Sequence, residues 1–389
     1  MGAFPANRSP MQPRIAEGTH DPLFVNALAL SDKSTTLVIC SADLLGFQWI
    51  DVDTMRNTFA EQSNLPPENL ILCGTHNHNG PECTYHFGGS PEDDAIVQLR
   101  KLVVEAALEA ISNLEPATVS TGFVDTDLVY NRRHILPDGS FVQLNRNEEK
   151  LPNGPVDPAV NILRFDKPNG HPITSVIHFA AHPVILATPN RLFTAEYPGA
   201  TRHHFQIKTN VPASLFLQGA CGNTHPFQAL TNTYDSVEEM AKKLSTAAAS
   251  AWTQATTETD LSLKVELWQA ELPNRYTTDL TVRTEITAVR LSNQIALIFW
   301  QGEPFIELSL SLQWRSPFPH TIVVGHSQGS CGYVPTRQAY HYGGYGVAPY
   351  PNDPPEYNRA CVAPGTGERW VEESGILLDR LHGYGMGIE

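Results

Sequence analysis

Basic side chains are scarce in this sequence. It has 26 lysines and arginines against 41 aspartates and glutamates, which gives a formal net charge of −15 at pH 7. Proteins that bind a phosphate backbone concentrate positive charge, so this balance argues against nucleic acid as a partner. Hydrophobic residues make up 41% of the 389 residues and charged residues 17%, as is typical of a globular protein.

Long hydrophobic runs are also lacking. No apolar stretch approaches the roughly 20 residues that a membrane-spanning helix needs. The first residues, MGAFPANRSPMQPR, do not contain the apolar segment of a secretion signal. We therefore expect a soluble, cytoplasmic protein with no membrane span.

Cysteine pairs of the CxxC type, which mark structural zinc sites and redox motifs, are absent as well. Several of the cysteines lie in apolar runs, where a free thiol behaves as a small hydrophobic side chain. This distribution argues against a structural zinc site. We expect six reduced and unpaired thiols, at Cys40, Cys73, Cys83, Cys221, Cys331 and Cys361.

The chain alternates between strand-like and helix-like patterns. TTLVICSADLLG predicts a buried strand ending at Asp43, and NLILCGTH predicts the next strand. Helices are predicted at 52–63, 93–114, 234–255, 303–313 and 369–382. Further strands are predicted at 117–124, 160–165, 173–180, 213–218, 263–271, 283–300 and 320–325. This order favours an α/β fold with large mixed sheets flanked by helices, in a single domain over residues 1–389. The segment 341–367, rich in proline, glycine and tyrosine, predicts a long surface loop.

Two histidines follow the second of these strands in the segment THNHNGPE. In extended backbone, His76 and His78 would point to one side and Asn77 to the other. Ligands gather at the carboxyl ends of strands in α/β sheets, and a catalytic zinc typically has three protein ligands and an open position. From this motif alone, a metal site and a pair of loop histidines bound to nearby backbone are equal alternatives.

Two other apolar runs end in candidate ligands. In ITSVIHFAAHP, His178 is embedded in the run and is best explained as a core histidine, whereas His182 at its end is equally well a ligand or a core residue. Pro183 restricts His182 toward extended backbone. In LIFWQGEPFIEL, Glu303 stands at a strand-to-helix junction, where it could bind a metal or stabilise the start of a helix.

Six segments of the chain, taken in order, resemble the neutral, non-lysosomal ceramidase superfamily, a group of zinc-dependent hydrolases. The resemblance extends from about Gly18 to the last predicted helix. The segments are THNHNGPE, HFAAHP, FTAEYPG, LFLQGACGNTHP, QGEPFIEL and GYVPTRQAYHYGGYGV.

The resemblance implies one zinc ion and a set of metal ligands. The first histidine of the family's T-H-T-H-S-G-P motif corresponds to His76, and its next histidine ligand corresponds to His182. Its carboxylate ligand corresponds to Glu303. A tyrosine that completes the family's site corresponds to Tyr333, which an ordinary buried aromatic with a hydrogen-bonded hydroxyl would explain equally well.

The same resemblance implies residues close to the substrate. The second histidine of the motif corresponds to His78, which would move a proton or bind an oxyanion. An arginine in an N-R segment corresponds to Arg132, with Arg133 as the neighbouring alternative and a solvated surface pair as the other explanation. Tyrosines near residue 345 offer aromatic faces that suit sugars as well as lipid chains.

The sequence departs from the ceramidase pattern at the G-D-x-S-P-N motif. Asn223 replaces the aspartate, and His225 replaces the serine to which amide cleavage has been assigned. A further immunoglobulin-like domain and the family's opening TPP segment have no counterpart here. His225 is therefore either a replacement catalytic group, since imidazole titrates near neutral pH, or the cap of a turn.

Together these patterns predict a zinc-dependent hydrolase that acts on a small polar substrate through an amide, ester or sugar-derived bond, and not as a typical ceramidase. A hydrolase or lyase of carbohydrate metabolites is the alternative among enzymes. A metal-binding or ligand-binding protein without turnover, on the same scaffold, is the alternative outside them. The expected partner is a small molecule, and the sequence leaves open whether the chain forms a homo-oligomer.

Overall fold

The computed structural model describes residues 15–85, 90–186, 189–348 and 361–383. The helices are α1 (Trp49–Ser63), α2 (Asp94–Ser112), α3 (Glu196–Thr209), α4 (Tyr234–Gln254), α5 (Ile306–Arg315), α6 (Arg337–Tyr342) and α7 (Thr366–His382). None of the helices within these ranges has the length and apolar character required to cross a membrane.

The strands are numbered in chain order, and the first ten lie between residues 18 and 179. They are β1 (Gly18–Thr19), β2 (Val25–Ser31), β3 (Thr36–Ala42), β4 (Leu70–Gly74), β5 (Thr118–Asp125), β6 (Val129–Asn131), β7 (Arg133–Ile135), β8 (Phe141–Gln143), β9 (Ala159–Asp166) and β10 (Pro172–Phe179). The later strands are β11 (Leu192–Phe193), β12 (Ser214–Gln218), β13 (Thr224–Pro226), β14 (Thr256–Thr257), β15 (Leu261–Pro273), β16 (Thr281–Ser292), β17 (Ile295–Trp300), β18 (Glu303–Pro304), β19 (His320–Val324) and β20 (Tyr333–Val334).

Three mixed sheets form the body of the described chain. Their strand orders are β2-β3-β4, β12-β10-β9-β5-β14 and β15-β16-β17-β19. Each sheet contains one parallel pair, and its other pairs are antiparallel. The α/β fold with mixed sheets and flanking helices is therefore confirmed.

The three sheets share a central apolar core, and helices cover their outer faces. Ile71, Leu215 and Leu297, one from each sheet, belong to this shared core. On the outer faces, α1 and α2 cover the first sheet, α3 and α4 the second, and α5 and α7 the third. Strands covered on both faces carry continuous apolar runs, which is why TLVIC and LILC indicated buried strands.

Each parallel pair is joined by one helix, in the units β3-α1-β4, β10-α3-β12 and β17-α5-β19. The carboxyl ends of these units meet. Gly74 donates its N–H to the carbonyl of His326 at 3.0 Å, and Gly325 donates to the carbonyl of Gln218 at 2.9 Å. Loops from three sheets therefore converge at one point, as expected for a ligand site in an α/β protein.

Several element predictions need correction. The predicted strand 283–300 is an antiparallel pair, β16 and β17, because the polar residues at 293–294 form a turn inside the apolar run. The predicted helix 303–313 begins at Ile306, since Glu303 and Pro304 pair with β20. Helix α3 was not predicted. Its sequence contains proline and glycine, and the packing of buried aromatic side chains such as Tyr197 outweighs their poor helix propensity.

The predicted surface loop 341–367 is only partly described. Its first residues complete α6 and continue as turns up to 348, and its last residues begin α7. Residues 349–360, the middle of the predicted loop, lie outside the described ranges.

Candidate metal centre

Three buried imidazoles meet where the strand ends converge. Nε2 of His76 lies 3.0 Å from Nε2 of His182, and Nε2 of His78 lies 3.3 Å from the first and 3.1 Å from the second. All three side chains are buried, and their ligand atoms form a cluster that could hold a metal ion. The sequence prediction that His76 and His182 come together is thus met, with His78 at the same point.

The other ring nitrogens fix the tautomers of two of these histidines. Nδ1 of His76 lies 3.0 Å from the carbonyl oxygen of Leu45, and Nδ1 of His182 lies 3.1 Å from that of Cys221. A carbonyl oxygen only accepts, so each Nδ1 carries a proton, and in the neutral form of each ring Nε2 then presents a lone pair. Two lone pairs facing each other at 3.0 Å repel unless a cation lies between them.

The backbone that brings His76 and His78 together differs from the predicted strand. β4 ends at Gly74, and His76 has a φ of 61°, in the left-handed region that non-glycine residues seldom adopt. The side chain of Asn77 faces the other way, as predicted, and donates to the carbonyl oxygens of Asp43 at 3.3 Å and Thr194 at 2.7 Å. A constrained loop, not strand alternation, aims both imidazoles at one point.

Glu303 brings a carboxylate to the cluster. Its Oε2 lies 3.4 Å from Nε2 of His76 and 3.9 Å from Nε2 of His182. This buried oxygen has no hydrogen-bond partner among the described residues. Burial opposes ionisation of Glu303, but His76, a hydrogen bond with Tyr333 and the charge of Arg132 outweigh it and lower the pKa of the carboxyl group. The carboxylate is therefore ionised and available as a ligand.

Tyr333 lies beside Glu303 because β18 and β20 pair in parallel with these two residues in register. Its side chain is buried, and its hydroxyl accepts a hydrogen bond from Nη2 of Arg132 at 3.2 Å. Tyr345, which the sequence did not single out as a site residue, lies next to it, with 3.4 Å between the two hydroxyl oxygens. Both phenols thus belong to the polar wall of the site.

Arg132 is buried and faces the cluster. Its Nη2 also donates to the carbonyl oxygen of Gly222 at 2.5 Å, and its Nη1 lies 2.8 Å from Nε2 of His225. The guanidinium carbon lies 4.9 Å from the ring centre of Tyr345, a cation–π distance. Arg133 points elsewhere and donates to the carbonyl oxygens of Gly343 and Tyr345. The structure thus places Arg132, and not Arg133, at the centre.

His225 lies in β13, which pairs with β6 so that His225 is opposite Tyr130. Its ring centre is 5.8 Å from that of His182, so the side chain lies beside the imidazole cluster and not within it. Burial and the positive charge of Arg132 lower the pKa of His225 well below its ordinary value. The imidazole is therefore neutral at pH 7.

Burial has the same effect on His78 and His182. It lowers the pKa of His78 and of His182 well below the ordinary value, and the neighbouring His76 and Arg132 lower both further. Neutral imidazole is the form that binds a metal ion.

The core histidine predicted from the sequence is confirmed. Nε2 of His178 lies 3.0 Å from the carbonyl oxygen of Val323, and its Nδ1 lies 3.1 Å from Nδ2 of Asn161.

A fourth buried histidine of the centre was missed. The ring of His326 stacks on that of His76 with 3.8 Å between centres, and its Nε2 lies 3.2 Å from Sγ of Cys221. His326 follows the apolar strand β19 by two residues, which is the signal that nominated His76 after β4. Applied to every apolar strand end, that signal would have found it.

The donor set fits a small divalent cation. Ligands placed tetrahedrally about 2.0–2.1 Å from a zinc ion lie roughly 3.3 Å from one another. Nε2 of His76 lies 3.0 Å from that of His182 and 3.4 Å from Oε2 of Glu303, and the distance from His182 to Glu303 is 3.9 Å. Nε2 of His78, at 3.1 and 3.3 Å from the other two imidazole nitrogens, is a further donor at the same point. Together with the fixed lone pairs and the unpartnered oxygen, these distances identify the cluster as a candidate metal centre.

A small cavity of about 30 Å³ adjoins the cluster. His76, Glu303 and His326 form one side of it. The remaining wall is mostly polar or glycine, with Thr84, Gln328, Ser330, Gly46, Gly302 and Gly332 alongside Leu45 and Phe47.

No protein-family model matches the chain. Two solved structures resemble it over most of its length. A neutral ceramidase from Pseudomonas aeruginosa has a TM-score of 0.77 at 16% sequence identity, and the match covers 96% of this chain and 73% of that one. A ceramidase complexed with C2 has a TM-score of 0.74 at 15% identity, with 93% and 70% covered.

The chain has a ceramidase-like fold. The resemblance seen in six sequence segments is thus confirmed at the level of the fold. At this identity the comparison carries no residue roles, so the assignments of metal ligands and catalytic groups depend on the geometry described above.

Proposed function

We propose that the chain is a zinc-dependent hydrolase with one metal ion held by His76, His182 and Glu303. The observation that carries this proposal is the convergence of imidazole lone pairs and an unpartnered carboxylate oxygen at ligand spacing. The two solved structures with this fold described above are ceramidases, which are hydrolases, and this supports the same class of activity. In this proposal residues 1–389 act as a single domain, and Tyr333 completes the site beside Glu303.

When bound, zinc lowers the pKa of water to about 7 and polarises a scissile carbonyl. The residues around it supply the remaining chemistry. His78, whose Nε2 faces the same point, moves a proton between the attacking and the leaving group. Its depressed pKa keeps it neutral at pH 7, the form that can accept a proton.

Arg132 stabilises negative charge that develops on the substrate. Its guanidinium is a buried permanent cation, so its interaction with an oxyanion is screened little by water. Tyr333 and the carbonyl oxygen of Gly222 hold the guanidinium in place from one side, and His225 holds it from the other.

The proposed substrate is small and polar, with an amide, ester or sugar-derived bond. The support is the departure from the ceramidase pattern at His225, together with the buried polar side chains of Arg132 and Tyr333 beside the imidazole cluster. Tyr345 and Arg132 give a sugar ring or planar group an aromatic and cationic wall.

The experiment is an activity survey of purified protein on short and long fatty-acyl amides, esters and glycosides. Each substrate is assayed with zinc and after removal of metal by a chelator. We expect turnover of a short polar substrate that is lost with chelator and restored by zinc, and little activity on ceramide. A protein that holds stoichiometric zinc without any turnover would instead be a binding protein, and turnover that survives complete metal removal would refute the metal mechanism.

A further inference from the structure

The segment Thr194–Tyr197 lies between the two loops that carry the clustered histidines. The carbonyl oxygen of Thr194 accepts from Nδ2 of Asn77 at 2.7 Å, and the backbone N–H of Thr194 donates to the carbonyl oxygen of Asn79 at 3.3 Å. Asn77 stands between His76 and His78. This segment therefore holds the first histidine loop by two hydrogen bonds.

Glu196 connects the same segment to the second loop. One of its carboxylate oxygens, Oε1, accepts from the backbone N–H groups of Ile185 and of Leu186, the latter at 2.9 Å. The other oxygen accepts from the N–H of Tyr197 at 2.7 Å. Ile185 and Leu186 follow His182 within four residues, so the carboxylate fixes the chain just after this histidine.

The chain just before His182 is fixed from the same place. The hydroxyl of Tyr197 donates to the carbonyl oxygen of Ala181, which also accepts from Nε2 of Gln218 at 2.9 Å. The backbone around His182 is thus held on both sides by Glu196 and its neighbour. Four consecutive residues tie together the two loops from which His76, His78 and His182 project.

The conformation of Glu196 is costly in two ways. Its φ of 54° lies in the left-handed region, and its side chain is almost completely buried. Burial raises the pKa of Glu196 to about 7, although hydrogen bonds from three backbone N–H groups favour the ionised form. Strained residues persist where the surrounding structure determines their geometry, and they are concentrated at functional sites.

We propose that Glu196 is a positioning residue of the metal centre, which sets the spacing between His182 and the pair His76 and His78. This inference rests on the zinc site proposed above. It concerns the geometry and retention of the metal, not the chemical step.

The test compares Glu196→Gln with Glu196→Asp in protein loaded with Co²⁺, whose visible spectrum reports ligand geometry. In Glu196→Gln, an amide N–H would face a backbone N–H, so one of the three hydrogen bonds is lost. Glu196→Asp keeps the charge but shortens the reach. Loss of a group that orients metal ligands typically costs 10- to 100-fold in affinity. We expect release of Co²⁺ to a chelator to be at least tenfold faster in Glu196→Gln, with an altered spectrum, and a smaller change of the same kind in Glu196→Asp.

The matched control is Asp166→Asn. Asp166 is also buried, accepts from Nε of Arg164 at 2.6 Å, and pairs with Pro172 at the start of β10. It thus lies roughly 20 Å along the strand from the end that leads to His182. We expect wild-type release and spectrum from this variant, even if its stability falls.

Wild-type release rates and spectra in both Glu196 variants would overturn the positioning role while leaving the zinc site intact. Wild-type protein that retains neither Co²⁺ nor Zn²⁺ would instead refute the proposed function, and this inference with it. If Glu196→Gln does not fold, Glu196→Asp decides alone, because wild-type behaviour of that variant also contradicts the proposal.

Discussion

Arg132 donates a hydrogen bond from Nη1 to Nε2 of His225 across 2.8 Å. Guanidinium nitrogens only donate, so Nε2 of His225 is the acceptor and carries no proton. The lowered pKa of His225 agrees with this arrangement. A histidine at this position therefore anchors the cation that faces the candidate metal centre.

We predict that His225→Ser weakens catalysis without changing its pH dependence. Serine is too short to reach Arg132, and a lost hydrogen bond to a charged group costs about 1.5–3 kcal/mol, or roughly 10- to 150-fold in kcat/KM. The measurement is kcat/KM against pH on the substrate found in the activity survey. His204→Ser, at a histidine on α3 whose partner is Glu238, is the control. Loss of one limb of the pH profile would make His225 a proton carrier, and full activity would make it purely structural.

Replacing the proposed ligands should remove the metal. We expect one zinc per wild-type chain by elemental analysis and less than about a tenth of that in His76→Ala and in His182→Ala, because a site that loses one of its two histidine ligands holds zinc poorly. His204→Ala should keep the full amount. The same measurement on His78→Ala separates its two roles, since retained zinc assigns His78 to proton transfer and lost zinc assigns it to coordination. Unchanged metal content in His76→Ala would refute the site.

His178 should make the fold less stable in mild acid. Burial lowers its pKa below 6.5, although the charge of Asp157 and the carbonyl of Val323 oppose this effect. Between the lowered pKa and about 6.5 the unfolded chain binds a proton that the folded chain does not. The contribution of His178 to stability is therefore present above about pH 6.5 and falls as pH drops, by up to about 1.4 kcal/mol per pH unit.

The measurement is the free energy of unfolding in denaturant from pH 5 to pH 8, with chelator present, for wild type and His178→Gln. The other buried histidines contribute equally to both proteins, so the difference isolates His178. We expect a shallower fall below pH 6.5 in the variant. Parallel curves would show that His178 is protonated to the same extent in the folded and unfolded chains.

The six cysteines should react only after unfolding. All are buried free thiols in the structure, and burial raises the pKa of Cys361, for example, to about 11. Thiolate is the reactive form, so alkylation should be slow in native protein. Mass measurement should find close to no modified thiol in native buffer and six in denaturant without reductant. Fewer than six in denaturant would reveal a disulfide.

The sequence alone determined the class of fold and the location of three candidate ligands. Buried strands carry continuous apolar runs, and helices repeat apolar residues about every three to four positions. Both patterns can therefore be recognised from residues that are close in sequence. His76, His182 and Glu303 each follow such a run, and in an α/β fold this places them at strand ends. Tyr333, Arg132 and His225 came only from the resemblance, because nothing in their local sequence distinguishes them from ordinary buried residues.

The tertiary structure decided which strand ends meet. His76 and His182 are 106 residues apart, and their contact depends on the packing of three sheets around a shared core. The proposed role of Glu196 depends on a hydrogen bond from the backbone of Leu186, which the residues next to Glu196 do not reveal. The division of residues 283–300 into two strands depends on the pairing of the two halves with each other. Local pattern is set by adjacent residues, whereas the site is set by contacts between distant ones, and only folding brings these together.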